Sequence, residues 1–296
     1  MITETATVLS HHSIGTDYRL LTMNSPSIVS TVQPGQFIHL RVPGLGESVL
    51  RRPFSVFKTD KENLTILYQC VGKGTRAMTR IRPGDELSLL GPLGNGFPAI
   101  QPDVFPILVA GGYGIAALHL LARRSPVKGI VFIGGARAHD ILCIDEFTQL
   151  DWEVRVATED DSLGNQGLVT HILDDWLNKK HDDRNLEFFA CGPNAMLNAL
   201  SDRAITGGWK AWLSMDRYMG CGMGACLGCV QKVQRSGFKL GESGEKHNKR
   251  EPGTQNFESR KTWKWARVCT DGPVFECRDI VWEKDEAEDR GQTTDH

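Results

Sequence analysis

No stretch of this chain holds the roughly 18 consecutive apolar residues that a bilayer-spanning helix needs. Nor is there an excess of either charge. The 34 basic and 36 acidic residues leave −2, which gives no electrostatic case for nucleic acid or an anionic membrane surface. The opening MITETATVLSHH carries Glu4 and lacks a basic cluster, so no export signal is expected there. What is present is enough for real cores: 40% of the 296 residues are hydrophobic, and the length suits two or three domains. These bounds fit a cytoplasmic enzyme or electron carrier. They do not fit a transporter, a disordered polymer or a disulfide scaffold.

The eight cysteines are unevenly spread. Cys70, Cys143 and Cys191 are scattered, and buried small thiols are the default reading for the first two. Cys191 ends an expected α/β strand, where the ligands of such sheets bind. Cys221, Cys226, Cys229, Cys269 and Cys277 crowd into the last quarter or so of the chain. That crowding points to a ligand cluster in a reducing compartment.

The first hundred residues read as β structure. QFIHLRV (36–42), NLTILYQCV (63–71) and ELSLLG (86–91) are branched and aromatic runs, two of them preceded by the turn pairs Pro34-Gly35 and Pro83-Gly84. A small antiparallel barrel closes such strands without leaving edges. After Pro102 the rhythm becomes strand–helix alternation. Strands are expected at 104–110, 129–135, 154–159 and 186–192, with helices at 115–124, around 141–150, at 171–180 (capped by Thr170) and at 194–204. Buried strands alternating with helices predict an open, mostly parallel α/β sheet. The expected domains are 1–100, 101–214 and 215–282, the last with a polar, unpatterned insertion at 236–262. An acidic, unstructured tail follows at 283–296.

Cys221-GMGA-Cys226-LG-Cys229 has the spacing C-x4-C-x2-C, and Cys269 follows 40 positions later. Three close thiols and a distant fourth form the plant-type pattern for one 2Fe–2S cluster. Gly222, Gly224, Ala225 and Gly228 leave room for backbone to wrap a compact core. A structural zinc competes, although zinc knuckles favour paired C-x2-C spacings; inert thiols are the third reading. Cys277 competes with Cys269 as fourth ligand. Separately, Gly111-Gly112-Tyr113-Gly114 lies between a strand and a helix, where amides can face a pyrophosphate. It is not the G-x-G-x-x-G fingerprint, and glycines serving only a tight turn would look the same.

Several segments together carry a resemblance. Arg52-Pro53-Phe54-Ser55, Gly72-Lys73-Gly74-Thr75, Gly91-Pro92-Leu93-Gly94, the GGYG loop and Cys191-Gly192-Pro193 resemble the ferredoxin–NADP reductase superfamily. MGCGMGACLGC (219–229), VCTDGPVF (268–275) and TEDDSLGNQGLVT (158–170) resemble, more narrowly, the electron-transfer subunits of class 1B dihydroorotate dehydrogenase. The resemblance implies an FAD-binding β-barrel, an NAD-binding α/β domain and a small C-terminal 2Fe–2S domain. It implies Arg52 at the FAD pyrophosphate, Pro53, Phe54 and Ser55 along the isoalloxazine with Ser55 near N5, and Gly72, Lys73, Gly74 and Thr75 at the FAD phosphates. It further implies Gly111, Gly112, Gly114, Cys191, Gly192 and Pro193 at the nicotinamide dinucleotide.

The implied partner is an FMN-containing dihydroorotate dehydrogenase catalytic subunit, two of each chain forming a heterotetramer in UMP biosynthesis. Two departures stand out: a long gap between Cys229 and Cys269, and Phe54 where many of the wider superfamily have Tyr. A reductase subunit of a hydrogenase, sulfide dehydrogenase or transhydrogenase would keep both cofactors and change only the partner. A zinc-bearing assembly protein of the same fold is the non-enzymatic alternative. Arg137 after the second α/β strand would suit NADP, whereas Glu159, Asp160 and Asp161 after the third suit the 2′-hydroxyl of NAD.

Overall fold

The computed structural model describes residues 1–44, 50–179, 185–234 and 263–282. The whole 236–262 insertion and the 283–296 tail therefore lie outside the described residues, as does the final residue, Lys180, of the expected 171–180 helix. The first segment runs β1 (Ile2–Ile14), β2 (Tyr18–Asn24), α1 (Pro26–Val29), β3 (Phe37–Leu40), β4 (Arg52–Asp60), β5 (Asn63–Gln69), α2 (Lys73–Met78) and β6 (Glu86–Leu93). Its strands close into an antiparallel barrel in the order β1-β2-β5-β4-β3-β6. Alternation along each strand sends Ala6, Val8, Leu21, Met23, Ile38, Leu40, Val56 and Ile66 into one core. β1, β2 and β4 were not among the expected strands. β1 is 13 residues of Thr, Ser and His between apolar positions, half its faces wet, so it lacks a hydrophobic run.

The second segment follows the expected alternation: β7 (Phe105–Gly111), α3 (Ile115–Arg124), β8 (Ile130–Gly135), α4 (Ile144–Thr148), β9 (Glu153–Thr158), β10 (Asn165–Gln166), α5 (Val169–Leu177), β11 (Leu186–Cys191), α6 (Asn194–Gly207) and β12 (Lys210–Ser214). Thr170 does not cap α5. The helix begins two residues earlier than expected, at Val169 after Leu168, and Thr170 is buried in its first turn. The reason is close packing of the helix start on the sheet: Gly134 leaves room there, since a Cβ on it would lie 2.7 Å from Val169 Cβ. α4 is also shorter than expected, starting only after Cys143, whose φ is 66°.

The third segment contributes β13 (Val230–Gln234), β14 (Trp263–Arg267) and β15 (Val274–Glu276). β13 and β14 form a hairpin, while β15 joins the large sheet antiparallel to β12, giving the order β10-β9-β8-β7-β11-β12-β15. All other pairings in that sheet are parallel. The cysteine-rich segment is thus sewn onto the nucleotide sheet. Cys229, Val233, Val268, Cys269 and Cys277 share a core with Phe188, Leu200 and Leu213.

From β7 the chain moves outward through β8 and β9, then returns to β11 on the other side of β7. The crevice between β7 and β11 is therefore the topological switch point, where open α/β sheets bind ligands at the carboxyl ends of their strands. The barrel docks on this sheet through α3 against β4. There His119 is 3% exposed, its Nδ1 lies 3.2 Å from the Phe57 carbonyl, and its ring packs 4.4 Å from that of Phe57. Burial, joined by Lys58 and Arg123 and opposed by the Phe57 carbonyl, pushes its pKa from 6.5 to about 4. The folded state resists a proton that the unfolded chain accepts, so this contribution to stability is complete above the unfolded value and is lost as pH falls toward the folded one. Thermal unfolding should show a midpoint that drops between about pH 6.5 and about pH 4, and His119→Gln, which keeps a donor without titrating, should flatten that drop.

Candidate functional site

Two adjoining cavities open at the switch point. The larger, about 710 Å³, is lined by all six residues expected at the nicotinamide dinucleotide: Gly111, Gly112, Gly114, Cys191, Gly192 and Pro193. The loops after β7 and β11 meet backbone to backbone. A Cβ on Gly114 would lie 2.2 Å from the Cys191 carbonyl oxygen, and one on Gly111 would lie 2.5 Å from Pro193 Cδ. Gly112 has φ +53° with open space around it, so its freedom serves the turn. These glycines let a dinucleotide approach main-chain amides closely. Burial, with Asp216 nearby, pushes the Cys191 thiol up to about 12, so it stays neutral.

The smaller cavity, about 300 Å³, is lined by Arg52, Pro53, Phe54, Ser55 and Thr75 of the expected flavin set. Gly72, Lys73 and Gly74 lie beside it at the start of α2. The Arg52 side chain packs closely over Gly74, where a Cβ would lie 3.0 Å from Arg52 Nε. The Thr75 hydroxyl is committed to its own turn, accepting N–H bonds from Val71 (3.0 Å) and Gly72 (3.1 Å). What the turn offers a phosphate is therefore its first-turn amides, which have no helix carbonyl behind them, beside the Arg52 cation. Arg51 is different. It donates to the Ser88 carbonyl (2.6 Å) and hydroxyl (2.9 Å), pinning β4's start to β6.

Sequence reasoning missed much of the wall between the two cavities. Tyr113, Gly114, Cys191 and Asp216 line both, and the Tyr113 hydroxyl donates to Asp216 Oδ2 at 2.9 Å. Gln69 of the barrel lines both cavities as well, and Phe37 and Tyr68 of the barrel, with Met219 and Pro273 of the cysteine-rich segment, complete the smaller one. Gly114 and Cys191 were expected at the dinucleotide, and Met219 and Pro273 fall inside the cysteine-rich motifs. No local motif flags Phe37, Tyr68, Gln69 or Asp216 for this wall, because only the fold makes them neighbours. Tyr113 alone carried a signal, as the one bulky residue in a glycine loop.

The four thiols expected to hold a cluster gather as two pairs: Cys221 with Cys226, and Cys229 with Cys269. Among the described residues no three of His, Cys, Asp or Glu converge to hold a single ion. A two-iron core takes four thiolates, two on each iron, and two pairs suit it. Cys221 Sγ accepts backbone N–H bonds from Met223 (3.5 Å), Ala225 (3.3 Å) and Cys226 (3.4 Å). Burial pushes this thiol up, but those donors outweigh it and hold its pKa well below the ordinary value, so the thiolate that ligates iron is favoured. Gly222 and Gly224, at φ +70° and +81°, give the loop the curvature that aims these amides at sulfur. Cys229 and Cys269 are 2% and 1% exposed, whereas Cys226 is exposed.

The Gly91–Gly94 motif supports the Cys269 turn. A Cβ on Gly94 would lie 2.6 Å from Pro273 Cδ, and Asn95 Nδ2 donates to the Thr270 and Asp271 carbonyls at 3.1 Å each. Cys277 stands apart on the far side of this segment, its carbonyl 3.4 Å from Ser201 Oγ of α6. Burial pushes its thiol up to about 11.

A barrel with a flavin-type crevice, docked on a nucleotide sheet that carries a four-thiol loop, defines a reductase of the ferredoxin–NADP reductase fold with an added iron–sulfur segment. Residues 5–97 match the family of oxidoreductase FAD-binding domains, and residues 216–240 match the iron–sulfur cluster binding domain of dihydroorotate dehydrogenase B. Among curated proteins, the chain is 34% identical to the dihydroorotate dehydrogenase B (NAD(+)) electron transfer subunit of Geobacillus kaustophilus, over 94% of this chain and 98% of that one. It is 31% identical to that of Desulforamulus reducens, with the same coverage. The chain belongs to this family of electron transfer subunits.

Among solved structures, NADH-dependent reduced ferredoxin–NADP oxidoreductase shares the fold, with TM-score 0.73 and 24% identity over 94% of this chain and 90% of that one. A ferredoxin–NADP reductase from Neisseria gonorrhoeae does so with TM-score 0.58 and 15% identity over 70% of this chain and 92% of that one.

Replacing Cys269 by Ala should abolish the visible absorption and iron content of a 2Fe–2S centre, and Cys277→Ala should leave both intact. Retention of about two irons per chain in Cys269→Ala would assign the fourth ligand elsewhere.

Proposed function

We propose that this chain carries electrons between NAD and an FMN-containing dihydroorotate dehydrogenase catalytic subunit, through FAD and one 2Fe–2S cluster, in the de novo route to UMP. The observation that carries this reading is the shared wall. Tyr113, Gly114, Cys191 and Asp216 separate the dinucleotide cavity from the flavin cavity, and Met219 and Pro273 close the flavin cavity on its cluster side. Three redox sites in a row need a middle member that bridges two currencies: the flavin exchanges electron pairs with the nicotinamide and single electrons with the cluster.

The chain's own residues have separate tasks in this reading. Arg52 and the first-turn amides of α2 neutralise and orient the FAD pyrophosphate. Pro53, Phe54 and Ser55 line the ring system, and the apolar Phe54 side, packed 5.6 Å from Tyr68, excludes water from it. The glycine loops at 111–114 and 191–193 seat the nicotinamide dinucleotide. Cys221, Cys226, Cys229 and Cys269 hold the cluster. Met219 and Val268 pack inward around it, while Met223 and Leu227, flanking Cys226 in the loop, are 50% and 61% exposed and offer an apolar face to the catalytic subunit. A two-plus-two heterotetramer in the cytoplasm fits this division of labour. No helix among the described residues is long and apolar enough to cross a membrane.

NAD rather than NADP is the nicotinamide in this reading. Of the three acids after β9, Glu159 lines the dinucleotide cavity. Asp160 is bonded to Ser162, and Asp161 forms the turn at φ +63°. Arg137 does not line the cavity. With a dye acceptor, kcat/KM for NADH should exceed that for NADPH, and the reverse order would overturn this assignment.

The isolated chain should reduce dyes with NADH but show no dihydroorotate:NAD⁺ activity. Adding the FMN subunit should create that activity. Dihydroorotate oxidation by the chain alone would sink the proposal.

A further inference from the structure

β3 is four residues long, and its alternation divides them cleanly. Ile38 and Leu40 fill the barrel core. Phe37 and His39 share the other face, their ring centroids 5.7 Å apart and tilted by 54°. Phe37 lines the flavin cavity. His39 lies one step farther along the strand and is fully buried at 0% exposure.

Neither ring nitrogen of His39 has a hydrogen-bond partner among the described residues. Buried polar groups without partners are rare and unfavourable, so an orphaned imidazole calls for a reason. Its surroundings supply one. The Nδ1–Cε1–Nε2 edge of the ring faces Gly222, the residue after Cys221. A Cβ placed on Gly222 would lie 2.7 Å from Cε1, 2.8 Å from Nδ1 and 2.9 Å from Nε2. Gly222 is thus required twice, once by its φ of +70° and once by this ring. The edge that carries both nitrogens is aimed at the loop of the sulfur ligands, and the opposite neighbour, Phe37, belongs to the flavin wall.

We propose that His39 is a positioning residue for electron transfer: its imidazole N–H hydrogen-bonds to sulfur of the cluster held by the Cys221 loop, raises the cluster's reduction potential, and fixes the cluster against the flavin wall. The inference rests on the assignment of the four cysteines to a 2Fe–2S centre. An imidazole carries at least one N–H in either tautomer and either charge state, so the donor is always present. Hydrogen bonds to cluster sulfur favour the reduced form, which carries one more negative charge, and so move the potential upward.

The test is a reductive titration of the purified full chain, with FAD and cluster followed separately by absorption and electron paramagnetic resonance. His39→Leu should retain iron and lower the cluster potential by an amount worth about tenfold in its reduction equilibrium, ~59 mV for a one-electron couple, with the FAD potential unmoved. His39→Gln, which restores an N–H donor, should recover much of the shift. A merely structural role would move neither potential selectively and would not be rescued by Gln. An unchanged cluster potential in iron-replete His39→Leu, or equal shifts in both cofactors, overturns the proposal.

If the variants fail to fold, the unmodified chain still decides. Selective ¹⁵N-histidine labelling should produce a nitrogen hyperfine coupling to the reduced cluster, and its absence refutes the contact. A chain without any 2Fe–2S signal before mutation would instead overturn the cluster assignment itself, a separate failure.

Discussion

The close approach of main chain to main chain at the switch point is the constraint on which the rest depends. Between Gly114 and Cys191 there is no space for one methyl group. That contact fixes the loops after β7 and β11 relative to one another, and through them the shared wall of both cavities. A single crevice can then serve two cofactors, because the same few residues present one face to each. The parallel sheet makes this possible by burying β7 and β11 on both sides, so their ends are held by core packing and not by the loops themselves.

The cysteine-rich segment adds a second constraint. β15 hydrogen-bonds to β12 in the nucleotide sheet, while Asn95 and Gly94 at the end of β6 grip the Cys269 turn from the barrel. The segment is therefore fastened to both neighbours at once. A hinge between barrel and sheet would have to break one of these attachments, so the spacing between flavin cavity and thiol loop is set by the fold.

How far the sequence revealed this depends on distance along the chain. β7, β8 and β11 were legible because a strand buried on both faces must be continuously apolar, and the thiol loop because its spacing is short and chemically specific. β1 and β4 were hidden by mixed patterns that make sense only once the barrel closes around them. β12 and β15 pair across some 60 residues (Trp212 with Glu276), with no local mark on either. The site divides the same way. Arg52 and the glycine loops announce themselves, whereas Asp216, Tyr68 and His39 acquire meaning only from neighbours far away in sequence. Thr75 is legible as a motif and lines the flavin cavity, while its hydroxyl serves the turn that shapes the first-turn amides.

The two thiol pairs differ in shelter. Cys229 and Cys269 are sealed in the core, yet Cys226 lies open to solvent between Met223 and Leu227. Electron tunnelling requires a thin barrier, and a barrier thin enough for an electron is thin enough for dioxygen. With Cys226 as a ligand, the opening that would suit the chain for passing charge outward would also be the place where oxidants reach the metal core first. Docking of a partner over Met223 and Leu227 would close that route, so assembly and protection from air become one event.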